Sequence, residues 1–168
     1  ARRGETVAVF ADYDVDGACS GALMVEGLAR LGCTVRHYVP DRLREGYGPN
    51  PAAIAALCAA GATLIVCVDC GIAAHEALAA AGSTDVVVLD HHKCEGAPPP
   101  VLAAVNPNRL DCGSGLGQLC AAGVVFLALV ATQRVLRLLG FFATRPEPDL
   151  MAALNHTLQS VGRNPLPL

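Results

Sequence analysis

The stretch Thr6-Val7-Ala8-Val9-Phe10-Ala11-Asp12-Tyr13-Asp14-Val15-Asp16-Gly17 decides the fold. A short apolar run ends abruptly in three aspartates at alternate positions and a glycine. A strand that reads apolar on both faces belongs to a parallel sheet covered by helices on each side. The next segment, Ala18–Leu31, is rich in Ala and Leu and has helical length. It stops at Gly32, where a left-handed C-cap is wanted.

The same unit recurs along the chain. Thr63–Val68, Asp85–Leu89 and Val101–Val105 are further short apolar runs, and Thr34–Val39 is a weaker one. Helical segments are expected over Pro51–Ala60, with Asn50 as cap, and over Ala73–Ala81; Gly61 and Gly82 follow them. Strands alternating with helices imply βαβ units. The expected fold is therefore α/β: a doubly wound parallel sheet of about five strands flanked by helices. Pro98-Pro99-Pro100 marks a loop before the last strand, and Asn106–Gln118 is irregular and rich in glycine. A long buried helix is expected over Leu119–Leu139, a break at Arg145-Pro146-Glu147-Pro148, and one more helix over Asp149–Ser160. This places a single domain at residues 1–142 and a divergent tail at 143–168.

Composition narrows the function. The 168 residues are 53% hydrophobic and 16% charged, which suits one domain with a sizeable core and excludes disorder. The net charge of −3 gives no bulk attraction for nucleic acid, so any such site must be local. Eleven of the twelve basic residues are Arg, which suits bidentate phosphate contacts and equally reflects a GC-rich genome. Ala1–Glu5 lacks a secretory pattern, so the eight cysteines are expected reduced, in a cytoplasmic protein. Cys67 and Cys70 have CxxC spacing, but no second pair completes a zinc site, and Cys67 falls in an apolar run. The apolar stretch Leu119–Thr132 is too short to cross a bilayer, and no membrane partner is expected.

The polar residues gather at the strand ends. Asp12, Asp14 and Asp16 follow the first strand, Asp69 ends the third, Asp90-His91-His92 end the fourth, and Asn106 ends the fifth. Open parallel sheets bind ligands outside the carboxyl ends of their strands. Carboxylates crowded together repel one another, and a divalent cation removes that penalty. Oxygen ligands with a histidine nitrogen suit Mn²⁺ or Mg²⁺. Two such ions activate a water and stabilise both oxygens of an in-line phosphoryl displacement, with Asp69 placed to bridge them. Gly17–Gly21 opens a helix whose amides, with Ser20, are expected to meet a phosphate. Singly, these aspartates read as turn residues or helix caps, and His91 as structural. The start of an EF-hand loop is mimicked by Asp12–Gly17, but Leu23 stands where the last ligand would be Glu.

These blocks resemble the DHH phosphoesterase family, named for the triad present here as Asp90-His91-His92. Asp12–Gly17, Val68-Asp69-Cys70-Gly71 and Asn106-Pro107-Asn108-Arg109 agree with it. The RecJ branch is the closest likeness, through Pro40-Asp41-Arg42, Glu45-Gly46-Tyr47-Gly48 and Leu119–Phe126. The resemblance implies a 5′→3′ exonuclease on single-stranded DNA or short oligonucleotides that uses two Mn²⁺ or Mg²⁺ ions. It implies Asp14 and Asp16 on one metal each, Asp69 as the bridge, His91 on the second metal, and Asp12 in or beside the first shell. Phe10 stands where other branches place a histidine ligand. His92 would contact the scissile phosphate or a water, Asp90 would orient a histidine, and Asn106 and Arg109 would hold a substrate phosphate. Two departures are read from the sequence. Asn164 is expected to align with a further metal-binding Asp of the branch, and the expectation is that the C-terminal DHH-associated domain and OB-fold are absent. A DHH phosphatase acting on oligonucleotides or nucleotide phosphates, and an inert domain that keeps the fold for binding, therefore stay open as alternatives.

Overall fold

The computed structural model describes residues 5–163, with side chains as far as His156; Asn164 lies outside the described residues. Five strands run β1 (Thr6–Ala11), β2 (Thr34–Tyr38), β3 (Leu64–Val68), β4 (Asp85–Leu89) and β5 (Ala103–Val105). Every pairing is parallel, and the spatial order is β2-β1-β3-β4-β5. The helices are α1 (Val15–Arg30), α2 (Arg42–Glu45), α3 (Pro51–Ala59), α4 (His75–Ala79), α5 (Ala121–Leu138) and α6 (Leu150–Arg163).

The strands carry no polar alternation because both faces are covered. Ala8 and Phe10 of β1 join Ile54 and Leu57 of α3, Leu78 of α4, and Ile65, Cys67 and Val88 in one buried cluster. Val7, Val9 and Ala11 point the other way, onto Leu23 and Met24 of α1 and Val124, Val125 and Leu129 of α5. Each apolar strand residue thus has a core to enter, whichever way it faces. Burying Val, Leu or Phe completely contributes about 1.5–3 kcal/mol each, so the paired cores are what hold the sheet edge in place.

Local signals set the element ends. Asn50 Oδ1 accepts from the Ala53 amide at 2.8 Å, with Pro51 opening α3. Gly32, Gly61 and Gly82 adopt φ of 81°, 87° and 59° in the turns behind three helices, where a Cβ would be strained.

Three expectations need correction. First, α1 begins at Val15, one turn before Ala18, because Asp14 is its N-cap and accepts from the Gly17 amide at 2.9 Å. Second, β5 keeps only Ala103–Val105 of the expected five residues, since only these pair with β4. Third, α5 is not buried all round. Ala121, Val124, Val125 and Leu129 form its inner stripe, while Leu127, Val130, Val135 and Leu138 are exposed. By length and composition α5 would suffice to cross a bilayer; here its inner stripe packs on α1 and the sheet. The core also runs past residue 142, because Leu150 and Ala153 of α6 are buried against α1.

Candidate metal centre

In the order β2-β1-β3-β4, the chain leaves β1 and β3 in opposite directions, and the crevice between their carboxyl ends is the topological switch point. Asp12 and Asp14 stand on one side of it and Asp69 on the other. Two groups of ligand atoms, each within 4.8 Å of one another, meet here: Asp12, Asp14 and Asp69, and then Asp69, His91 and His92. Asp69 belongs to both.

The carboxylates are electrostatically strained. Asp12 Oδ1 and both carboxylate oxygens of Asp69 are buried without any hydrogen-bond partner. Burial first, and then the neighbouring Asp16 and Asp14 carboxylates, push the Asp69 carboxyl up to about 8. Burial is also the main reason the Asp12 carboxyl is raised. An orphaned charged oxygen inside a protein costs several kcal/mol, so such groups either take a proton or bind a metal.

The histidines are oriented from behind. His91 Nδ1 lies 3.1 Å from the Leu119 carbonyl oxygen, which can only accept, so Nδ1 carries the proton. The other nitrogen, Nε2, faces Asp69 Oδ1 at 3.3 Å and Asp16 Oδ2 at 3.6 Å. A nitrogen and two carboxylates this close need a proton or a cation among them. Asp90 Oδ1 accepts from His92 Nδ1 at 2.7 Å and from the His91 and His92 amides at 2.7 and 3.1 Å. Its Oδ2 accepts from the Ile72 amide at 3.0 Å. Asp90 is therefore saturated, and its place is behind His92, not on an ion.

Asp16 reaches furthest along the chain. Its two oxygens accept from the Ala121 and Ala122 amides at 2.7 and 2.9 Å, so it caps the N-terminus of α5. One turn of backbone, Leu119–Ala122, thus holds both Asp16 and His91. Asn108 fastens the loop before it: Nδ2 donates to the His91 carbonyl at 2.6 Å and to the Gly117 carbonyl at 3.2 Å. Neither the Leu119 carbonyl nor Asn108 was singled out from the sequence. Asn108 lay within a quoted block, but a carbonyl leaves no mark in a residue pattern.

Of the residues expected at a phosphate, Ser20 is buried and Asn106 and Arg109 bond within the protein. Ser20 is fully buried and its Oγ has no partner. The earlier start of α1 puts it under the helix, not at its mouth. Asn106 is buried, donating to the His92 carbonyl at 2.8 Å and accepting from the Asn108 amide at 2.7 Å. Arg109 forks onto Asp111 at 2.9 and 2.6 Å and donates to the Ala104 carbonyl at 2.5 Å. Phe10 is buried and packs its ring on Tyr38, with centroids 5.3 Å apart.

Two cavities flank this region. One of about 320 Å³ adjoins the site, lined by Tyr47, Gly71, Asp90, His92 and Lys93. A larger one of about 490 Å³ lies between β5 and α5, is mostly apolar, and stands apart from the carboxylates. All eight cysteines are free, and burial pushes the Cys67 thiol up to about 12, as suits a packed and unreactive side chain.

Known proteins share this arrangement of sequence and fold. The chain is 40% identical over 147 residues to the single-stranded-DNA-specific exonuclease RecJ of Salmonella typhimurium, covering 86% of this chain and 26% of that protein. It is 40% identical over 124 residues to RecJ of Bacillus subtilis, covering 73% of this chain and 16% of that one. A crystal structure of exonuclease RecJ bound to manganese superposes with a TM-score of 0.73 at 35% identity, over 88% of this chain and 36% of its own. RecJ from Thermus thermophilus in complex with Mn²⁺ gives a TM-score of 0.64 at 32% identity, over 88% of this chain and 20% of its own. The chain spans about a quarter of the length of the first of these relatives. The family model for the N-terminal domain of the DHH family matches residues 6–153, and the chain belongs to that family.

Proposed function

We propose that this domain binds two divalent cations, Mn²⁺ or Mg²⁺, and supplies the metal-holding half of a phosphodiesterase acting on single-stranded DNA from its 5′ end. The observation that carries the reading is the set of three buried carboxylate oxygens without partners, on Asp12 and Asp69, faced by the free nitrogen of His91. Asp12 and Asp14 would hold one ion, Asp16 and His91 the other, with Asp69 between them. Such ions supply charge that activates water and neutralises a phosphoryl group in in-line displacement.

The chain's own groups do the rest. Asp90 accepts the Nδ1 proton of His92 and so orients the ring, and Nε2, 3.3 Å from the Tyr47 hydroxyl, would donate to a phosphate oxygen or a leaving group when it carries a proton. Asp16 and Leu119 keep the second ligand pair in register. The polar commitments of Asn106 and Arg109, and the full burial of Ser20, favour a building role for all three, with substrate phosphate held by the ions and by residues nearer His92. RecJ structures similar to this chain carry Mn²⁺, and the names of its sequence relatives specify single-stranded DNA, which supports both halves of the proposal. Eight free cysteines fit a reducing cytoplasm.

Calorimetry with Mn²⁺ on the chain and on Asp69→Ala tests the metal centre. Binding to the first and its loss in the second are expected; no binding, or no effect of the substitution, refutes it. Hydrolysis of a 5′-phosphorylated single strand compared with a dinucleotide, both with Mn²⁺, tests the substrate. Preference for the dinucleotide would replace the exonuclease reading by an oligonucleotide phosphatase.

A further inference from the structure

We propose that Tyr47 is a positioning residue of the metal centre, whose hydroxyl ties the backbone of the bridging Asp69 to the His92 imidazole. The inference rests on the metal-centre reading above. Among the described residues Asp69 is the one non-glycine with positive φ, at 61°. A left-handed conformation costs a non-glycine residue about 1–2 kcal/mol and persists only where its surroundings over-determine it. On one side the Asp69 amide donates to the Leu89 carbonyl at 3.0 Å. On the other the Tyr47 hydroxyl donates to the Asp69 carbonyl at 3.3 Å. That peptide aims the carboxylate shared by both ligand groups.

The same hydroxyl oxygen lies 3.2 Å from His92 Nδ1 and 3.3 Å from His92 Nε2, and the two rings meet edge to face with centroids 5.7 Å apart. Asp90 holds His92 from one side, and Tyr47 stands against it from the other. The Nδ1 proton of His92 goes to Asp90, so the hydroxyl meets the ring through Nε2: it accepts from that nitrogen when it carries a proton, and otherwise offers its own proton to Nε2 or to the Asp69 carbonyl.

Packing alone does not account for this placement. Tyr47 is 55% exposed, so it buries little apolar surface. It sits between Gly46 and Gly48, whose φ of 80° and 75° form a turn that β-carbons would strain. The turn is strapped down by Glu45. Its carboxylate accepts from Tyr38 Oη at 2.5 Å, the Asp41 amide at 2.8 Å and Asn50 Nδ2 at 3.0 Å. Tyr38 in turn packs on Phe10 of β1. A rigid chain of contacts therefore runs from the core, through Glu45, to a hydroxyl poised over the site.

Tyr47→Phe removes the hydroxyl and keeps the ring. The readouts are the ring ¹⁵N resonances of His92 in the metal-free chain, and Mn²⁺ affinity by calorimetry. The expected result is a wild-type circular dichroism spectrum, displaced His92 ring resonances, and Mn²⁺ binding weakened about tenfold, as for the loss of a partner behind a ligand. Glu45→Gln, which slackens the strap without touching the site, should move both readouts the same way by a smaller amount. Unchanged ring resonances in Tyr47→Phe overturn the proposal, as does unchanged affinity in a chain that binds the ion. If the wild type binds no Mn²⁺ the metal-centre reading falls, and the ring resonances still decide the contact between Tyr47 and His92.

Discussion

Raising the pH should destabilise the metal-free domain, and Asp69 is the reason. Its carboxyl is pushed up to about 8 from an ordinary 3.8, chiefly by burial and then by the Asp16 and Asp14 carboxylates. Between those two values the folded chain keeps the Asp69 proton and the unfolded chain has released it. The native state then binds more protons than the unfolded one, so stability falls as pH rises through the window. The slope for one group is at most about 1.4 kcal/mol per pH unit, so going from about pH 5.5 to about pH 7.5 removes up to about 2.7 kcal/mol. At 1% exposure Asp69 has little solvent screening to reduce this. Urea unfolding with a chelator present, at both pH values, measures the loss. Asp69→Asn keeps the shape without the ionisation, and its stability should lack this fall. Adding Mn²⁺ should reverse the trend, because the ion binds the deprotonated carboxylate and stabilises more as pH rises. A wild type whose stability does not fall, or an Asp69→Asn chain with the same slope, would refute the argument.

Other substitutions separate scaffold from site. Gly17→Ala puts a Cβ 2.8 Å from that of Asp12, so it should cost about 1–3 kcal/mol in urea unfolding and weaken the first ligand group. Gly27→Ala drives a Cβ to 2.7 Å from both Leu129 Cδ atoms, between α1 and α5. It should lower stability comparably while Mn²⁺ affinity by calorimetry stays at the wild-type value. Asp16→Asn leaves one carbonyl oxygen for two amides of α5, so a loss of about 1 kcal/mol and weaker Mn²⁺ binding are expected together. Asn108→Ala strips the His91 and Gly117 carbonyls of a donor and should cost about 1–3 kcal/mol, with faster amide exchange across residues 106–119.

Much of the frame was legible because its causes are local. Runs such as Leu64–Val68 read as two-faced strands since a helix covers each side, and Asn50-Pro51 with Gly61 bracketed α3 almost to the residue. The convergence of Asp14, Asp69 and His91 followed from strand ends alone. What escaped depended on distant partners. Asp16 meets the α5 amides 105 and 106 residues away, and nothing near either segment announces it. Asp14 starts α1 a turn earlier than the residue pattern suggests, and Ser20 is buried. Arg109 has its partner Asp111 two residues on, a pairing that sequence spacing alone could suggest. The outer face of α5 misled because composition reports apolarity and not which side is covered.

The span between Asp16 and α5 has a temporal side. A nascent chain makes Asp12, Asp14, Asp16, Asp69 and His91 first, yet the backbone that aligns Asp16 and His91 is translated only with Leu119–Ala122. At roughly 5–20 residues per second the ribosome needs a few more seconds to bridge that gap. Until then the carboxylates repel one another without the amides that steady Asp16. Ribosome-bound chains halted before residue 119 should accordingly retain no Mn²⁺ on a desalting column, and those extended past α5 should hold it. On the proposed metal reading, ion capture would wait until α1 and α5 have found each other.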